Sequence, residues 1–389
     1  MTRLGELLTE AQSGFACGTQ AEDGVFQFRM NNVNRDGALD LAKRRRVPHS
    51  AHKRLEFFLL RDGDVLFNST NSPDGVGRAG LIRGLDEPAV FSNHFFRLRT
   101  DFARLDPGFL TRWLNWNFQR GVFLGMCRQW VNQATVARES LLDMPIDLPR
   151  IEEQRRIAAI LDHADSVRTR RRHSLAQLAS LTSARVEAAL RSGKPDYVKL
   201  GELTTSMRNG LSPSSKGEVP GRVLTLSAVT RGSFDPFAAK DALFECAAHA
   251  SQRVCADTLL ICRGNGNRDL VGVGEMANQD YPDLIYPDTV IAATPDATKV
   301  VPRYLWAVWR LPQVRATVQS SAKTTNGIHK VNQGGLSSIS LPILPHEQQR
   351  GLVATLDAVG SMGDQLRRSE QYLDQLFEVL QARAFSGRL

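Results

Sequence analysis

Long apolar runs are missing from this sequence of 389 residues. Its hydrophobic share of 42% suits a soluble globular protein, yet nowhere do apolar residues extend to the ~20 that cross a bilayer. The opening Met1-Thr2-Arg3-Leu4-Gly5-Glu6 lacks the apolar stretch of a secretory leader, so a cytoplasmic location without membrane attachment is expected. Cysteine is scarce. The five residues Cys17, Cys127, Cys246, Cys255 and Cys262 are odd in number and contain no Cys-x-x-Cys pair, which excludes a disulfide framework and a cysteine zinc site. The eight histidines do not recur at metal-ligand spacing; His49 and His52 are the nearest close pair, and no carboxylate accompanies them. No metal is expected. Also missing are the G-x-x-x-x-G-K-[ST] phosphate loop, a strand-linked G-x-G-x-x-G and an Asn/Asp-Pro-Pro-aromatic stretch, so neither nucleotide hydrolysis nor methyl transfer is expected of this chain.

What is present is positive charge and repetition. A formal charge of +8 draws the chain toward polyanions, of which nucleic acid is the usual one. The densest basic run, Lys43 to Arg46, interrupts a folded-looking stretch and reads as a solvated face. The length predicts two or three domains, and an internal repeat decides between them. Leu4-Gly5-Glu6-Leu7 returns as Leu200-Gly201-Glu202-Leu203, and Gly14 returns as Gly210. With small slips the register continues: Asp64-Val65-Leu66 answers to Asp257-Thr258-Leu259, Val76-Gly77 to Val271-Gly272, and Asp106-Pro107 with Leu110 to Val301-Pro302 with Leu305.

Each copy ends in a helical pattern. Leu148-Pro149 with Glu152, Gln154 and Ile157 is matched by Leu344-Pro345 with Glu347, Gln349 and Leu352, where Pro halts the preceding element and Glu suits a first helical turn. Downstream, Leu352, Val359, Leu366, Leu373 and Leu380 form a heptad seam with Leu356, Leu376 and Phe377 beside it. The first copy carries a less regular stripe, Ile157, Ile160, Leu161, Ala164, Val167, Leu175, Leu178 and Leu181, interrupted around Arg168 to His173. At about 40 residues each pattern corresponds to roughly 60 Å of helix, more than one small domain covers, so the two are expected to pack on each other as an antiparallel pair. Between them lie β-like runs such as Val25 to Met30, Asp64 to Asn68, Val223 to Ala228 and Thr258 to Cys262, with one helix expected per copy at Pro107 to Phe123 and Pro302 to Val318. The expected fold is therefore α+β with a pseudo-two-fold: globular domains at 1–147 and 196–342, a central helix at 148–195 and a C-terminal helix at 343–389.

This order of motifs, repeated twice and each time before a long helix, resembles the specificity subunits of type I restriction-modification systems over the whole chain. The Leu-Gly-Glu start, the Gly63-Asp64-Val65-Leu66 segment and the Pro-x-x-Glu-Gln-like helix entries carry the likeness. Departures are Thr258 where the first copy has Val65, Ala256 where it has Gly63, and Gly351, Gly360 and Gly363 within the second helix. The resemblance implies two target-recognition domains, each reading one half of a split, asymmetric DNA target, with coiled-coil helices fixing the gap. It also implies a phage-defence complex in which two methyltransferase subunits bind S-adenosylmethionine and methylate DNA at adenine, joined by motor-nuclease subunits for cleavage. No cofactor is then bound by this chain.

Base readout calls for Arg against guanine and Asn or Gln against adenine, with Lys and Ser holding phosphates. Residues of these types gather in the first copy at Arg29, Asn31, Asn32, Asn68, Asn71, Arg78, Asn93 and His94. In the second copy they are Arg231, Arg263, Asn265, Asn267 and Arg268, then Lys323, Thr325, Asn326, His329 and Lys330. About a third of the set is expected to touch DNA. Because the loops differ between copies, the half-sites are expected to differ. Asp64 and Asp257 each precede an apolar strand, as nuclease carboxylates do, but no second carboxylate and lysine follow; both read as turn residues. Three alternatives stay open: a specificity-like subunit of another defence methyltransferase complex, a stand-alone regulator binding two DNA sites, and an enzyme with an unfamiliar site.

Overall fold

The computed structural model describes residues 2–129, 133–325 and 327–389 and divides the chain into two units. One comprises Met1–Arg171 with Ser369–Leu389, the other Arg172–Arg368. The two long helices, Ile151–Gly193 and His346–Ala384, therefore each contribute a part to both units.

In the first unit a four-stranded antiparallel sheet runs in the order Leu8–Ser13, Phe95–Thr100, Val65–Asn68, Ala79–Leu81. Alternation along Val65–Asn68 sends Val65 and Phe67 to one core and Leu66 to another, as a strand buried on both faces requires. The first core is closed by the helix Pro107–Gln119, which Asp106 caps by accepting from the Phe109 N–H at 2.9 Å and which starts with proline where no N–H is needed. The second core, rich in Phe26, Phe28 and Phe91, lies under the strands Arg46–Val47, Val25–Phe28 and Ala89–Phe91, of which the last two are parallel. A small third sheet joins Thr70–Asn71, Arg128–Gln129 and Ala134–Thr135.

The second unit repeats this plan. Its four-stranded sheet has the same order, Thr204–Asn209, Val290–Pro295, Leu259–Cys262, Gly274–Met276. Leu259 and Ile261 face one core, Leu260 and Cys262 the other. Val219–Leu224 and Tyr281–Ile285 form the parallel pair, and a small sheet joins Gly264–Asn265, Ile328–Lys330 and Lys323–Thr325.

Several local expectations change. The helix expected at Pro107 to Phe123 ends at Gln119, because Gly121 turns left-handed (φ 72°) before a short helix Val122–Met126. That at Pro302 to Val318 is two helices, Pro302–Trp309 and Pro312–Ser320, since Pro312 forces Leu311 into extended backbone. Val223 to Ala228 is not one strand: pairing stops at Leu224, and Ser227–Thr230 is a helical turn. The copies also align one residue differently from the sequence reading. Asn68 and Cys262 occupy the same place in the ladder, so Gly63 corresponds to Asp257 and not to Ala256. Gly63 (φ 90°) and Asp257 (φ 59°) make the same left-handed turn, which aspartate tolerates better than most residues.

Within each unit the parts of the two long helices meet in opposite senses. In the first, Arg168 bonds Asp374 at 2.7 Å and Arg156 bonds the carbonyl of Leu389 at 2.8 Å. In the second, Leu178 faces Gly363, and Gly193 faces Leu344 and Gln348. Of the expected seam, Ile157, Leu161 and Leu352 are buried, while Leu175, Leu178, Val359, Leu366, Leu373 and Leu380 are half-buried. Leu181 and Leu376 are corrected to exposed positions, 65% and 52% accessible. The packed face steps through Phe377, Leu380 and Ala384, and Leu376 points about 100° away from Phe377. The interruption at Arg168 is an ionic layer: its guanidinium bonds Asp165 and Asp374 and stacks on Phe377.

Candidate nucleic-acid interface

The helix entries explain how each reading surface is held. Gln154 is fully buried; its Oε1 accepts from the Asp106 N–H and its Nε2 donates to the carbonyls of Arg104 and Pro149, all at 2.9 Å. Gln349 does the same in the second unit, accepting from Val301 at 2.8 Å and donating to Leu344 at 2.7 Å. One amide thus clamps each long helix to the loop that opens the domain's own helix. Sequence reading placed these glutamines in a first helical turn but missed the clamp. The signal was their identity in both copies.

The small sheets gather polar residues that are far apart in sequence. In the second unit Gly264 pairs with Lys330, Asn265 with His329 and Lys323 with Lys330, so the two nominated loops share one surface. Lys323, Lys330, Asn267 and Arg268 are exposed there, with Arg263 and Asn265 half-buried. Asn265 and Asn267 spend their side-chain oxygens on the N–H groups of Asn267 and Asp269, which shapes the loop. Thr325 ends the strand Lys323–Thr325; Asn326 lies outside the described residues. Arg231 is exposed after Ser227–Thr230, on another element.

In the first unit the polar residues sit at strand ends. Arg29 follows Val25–Phe28, and Asn93 and His94 form the turn before Phe95–Thr100; Asn68 ends the central strand, and Asn71 and Arg78 flank the next turn. Asn31 and Asn93 are exposed. Arg78 donates to the carbonyl of Asp74 at 3.0 Å and lies over Phe118, and Asn71 accepts from the Ser72 N–H. Asn32 is corrected from the reading set: it is buried, its amide donates to the carbonyls of Asp40 and Lys43, and its oxygen accepts from the Arg29 N–H, so it braces the loop. Asn68 is buried too, and direct contact from it is likewise excluded in this conformation.

Charge is distributed unevenly around these residues. Arg44 and Arg46 of the basic run are held by Asp86 and Glu87, whose carboxyls those arginines' hydrogen bonds pull below the usual range. Burial and then the charge of Arg45 lower the pKa of Arg29. Burial, followed by the charge of Arg29, pushes the His94 imidazole below its ordinary value. Asp64 is buried, paired with Arg99 and accepting from the Arg61 N–H. Among the described residues no group of three His, Cys, Asp or Glu is arranged to hold a metal, and no helix is long and apolar enough to cross a membrane.

Two α+β units of one topology, each clamped to parts of two long helices, define a duplicated scaffold with divergent polar edges. Residues 23–178 match the family model of the type I restriction modification DNA specificity domain. It is similar to the putative type I restriction enzyme MjaX specificity subunit of Methanocaldococcus jannaschii, 27% identical over 132 residues that cover 34% of this chain and 31% of that one. A second relative is the type I restriction enzyme StySPI specificity subunit of Salmonella potsdam, 23% identical over 53% of this chain and 44% of its own. The matched stretches thus span less than half of either relative. Among solved structures, the S subunit of a type I restriction-modification system from M. genitalium aligns over 99% of this chain and 95% of its own, with TM-score 0.53 and 14% identity. A chain from a study of complex assembly and conformational transition in the type I R-M system aligns over 100% and 97%, with TM-score 0.52 and 18% identity. At these identities the likeness is one of fold.

Proposed function

We propose that this chain is the DNA-specificity subunit of a cytoplasmic type I restriction-modification complex, reading a bipartite, asymmetric target and carrying no catalytic centre. The observation that supports this best is one backbone plan used twice with unlike polar edges: Arg29, Asn31 and Asn93 in one unit, Lys323, Lys330 and Arg268 in the other. A duplicated scaffold with unlike edges suits two different half-sites. On this reading two methyltransferase subunits dock on the chain and supply S-adenosylmethionine, and motor-nuclease subunits join them for cleavage.

The test is a domain exchange. Residues 1–147 are replaced by the corresponding stretch of a related protein, the chain is produced with its methyltransferase subunit, and methylated adenines are mapped by long-read sequencing of host DNA. One half of the motif is expected to change while the other half stays. A change in both halves, or in neither, refutes the assignment, and methyl transfer by the purified chain alone refutes its non-catalytic role.

A further inference from the structure

Three neighbouring side chains in the first unit have polar atoms without hydrogen-bond partners: both amide atoms of buried Asn68, the hydroxyl of buried Ser92 and Nδ1 of half-buried His94. Buried polar atoms are nearly always paired, and leaving them unpaired weakens the fold. Backbone pairing places the three together. The Ser69 N–H, next to Asn68, donates to the carbonyl of His94 at 2.9 Å; the Phe95 N–H donates to that of Ser92 at 3.0 Å; Phe95 itself stands opposite Asn68. Arg29 adjoins them, since the Ser92 N–H donates to the carbonyl of Phe28 and the charge of Arg29 is felt at His94.

The second unit says whether the backbone needs this polarity. Cys262 takes the place of Asn68, because the Gly272 N–H donates to its carbonyl as that of Gly77 does to Asn68. Thr289 takes the place of His94, its carbonyl accepting from the Arg263 N–H as that of His94 does from Ser69. Pro287 takes the place of Ser92, accepting from Val290 as Ser92 does from Phe95. Cys262 packs among Leu260 and Val290 in an apolar core. The skeleton is therefore built without an amide at the place of Asn68, a hydroxyl at that of Ser92 or an imidazole at that of His94, and their presence in the first unit calls for another cause.

Resting on the function proposed above, we propose that Arg29 and His94 read the first half-site and that Asn68 is their positioning residue, its amide pairing with the His94 ring once that ring turns to DNA. Arg29 and His94 are half-exposed, so solvent and a ligand can meet them, whereas Asn68 is buried.

The test uses the full chain with its methyltransferase subunit. Asn68→Cys and His94→Thr install the second unit's own residues, and Arg29→Lys keeps the charge while removing the fork. Asn68→Cys is expected to leave the melting temperature unchanged or raised, because it removes unpaired polar atoms. It should also lower discrimination about tenfold at one or two positions of the first half of the methylated motif, with the second half and the gap intact. His94→Thr should relax the same positions, and the double variant should be no worse than the more severe single one. A lowered melting temperature for Asn68→Cys with an intact motif overturns the proposal in favour of a scaffold role, as does an unchanged motif in His94→Thr or Arg29→Lys. Absence of any bipartite motif with the unaltered chain overturns instead the function on which the proposal rests.

Discussion

At the point where the domain's own helix crosses its main sheet, the two units solve one packing problem with opposite chemistry. In the first, Gly80 stands across from Leu66, and Asn115 grips the Ala79 backbone through two hydrogen bonds of 2.8 and 3.0 Å. A Cβ on Gly80 would lie 2.6 Å from Leu39, so the loop carrying Gly37 and Leu39 fills the space. In the second, Glu275 stands across from Leu260; it is bonded to Arg310 and to the indole of Trp306, and Arg310 also reaches the carbonyl of Gly232. Gly37 (φ 80°) and Gly232 (φ 89°) each turn a loop toward this place. The backbone plan is shared, and a neutral amide clamp in one unit is a buried ion pair in the other. What stays the same therefore belongs to the scaffold, and what differs is free to follow the half-site.

The glutamine clamps test the shared part, and the largest effect is expected there. Gln154→Leu leaves the Asp106 N–H and the carbonyls of Arg104 and Pro149 unpaired in a buried place, which at roughly 1–3 kcal/mol per orphaned group costs about 3 kcal/mol or more. Gln349→Leu orphans two groups and is expected to cost about 2 kcal/mol or more. Chemical denaturation of the two variants measures both. A loss confined to one of them would break the equivalence of the helix entries.

An intermediate effect separates the units by pH. For Glu275, burial raises the pKa against the pull of Arg310 and Trp306, so its contribution to stability is complete below the unfolded value near 4.5 and is lost as pH rises through the folded one. For Glu10 of the first unit, burial also pushes upward, but hydrogen bonds and charge from Arg97 and Arg99 prevail and lower the pKa. Its contribution is present above 4.5 and is lost as pH falls through the folded value. Hence Glu275→Gln should gain on the unaltered chain as pH rises from about 4 toward 7, and Glu10→Gln should lose on it over the same range. Thermal unfolding across that range reads both slopes, and slopes of one sign would remove this contrast between the units.

Much of the scaffold was legible in the sequence because its signals are local. Pro149 and Pro345 mark the helix entries, and the spacing of Leu200-Gly201-Glu202-Leu203 marks the second copy. The polar edges were harder to read, since neighbours in sequence part company in space. Asn31 is exposed and Asn32 buried, and nothing in the dipeptide says which amide braces the loop. Arg44 and Arg46 look like a basic patch until Asp86 and Glu87, some forty residues on, arrive beside them. The offset at Gly63 and Asp257 arose because Asp-x-Leu recurs one place out of step, and only the ladder shows that the left-handed turn, not the aspartate, is what the copies share.

The smallest effect concerns the heptad reading of the long helices. A uniform seam would give every leucine on it a similar weight, and Leu181→Gln or Leu376→Gln would then bury an amide and cost well over 1 kcal/mol. The geometry gives both residues to the surface, at 65% and 52% exposure, and passes the packing in the first unit to Phe377, held between Arg112 and Arg168 at 5.9 and 4.3 Å from its ring. Each glutamine variant should therefore stay within about 0.5 kcal/mol of the unaltered chain by denaturant midpoint. Phe377→Ala, one residue from Leu376, should cost about 3–5 kcal/mol, since it empties a buried site and strips both guanidinium groups of their aromatic face. Equal losses at 376 and 377 would restore the regular coiled coil; the expected disparity makes the first unit's share of the helices an extension of its own core.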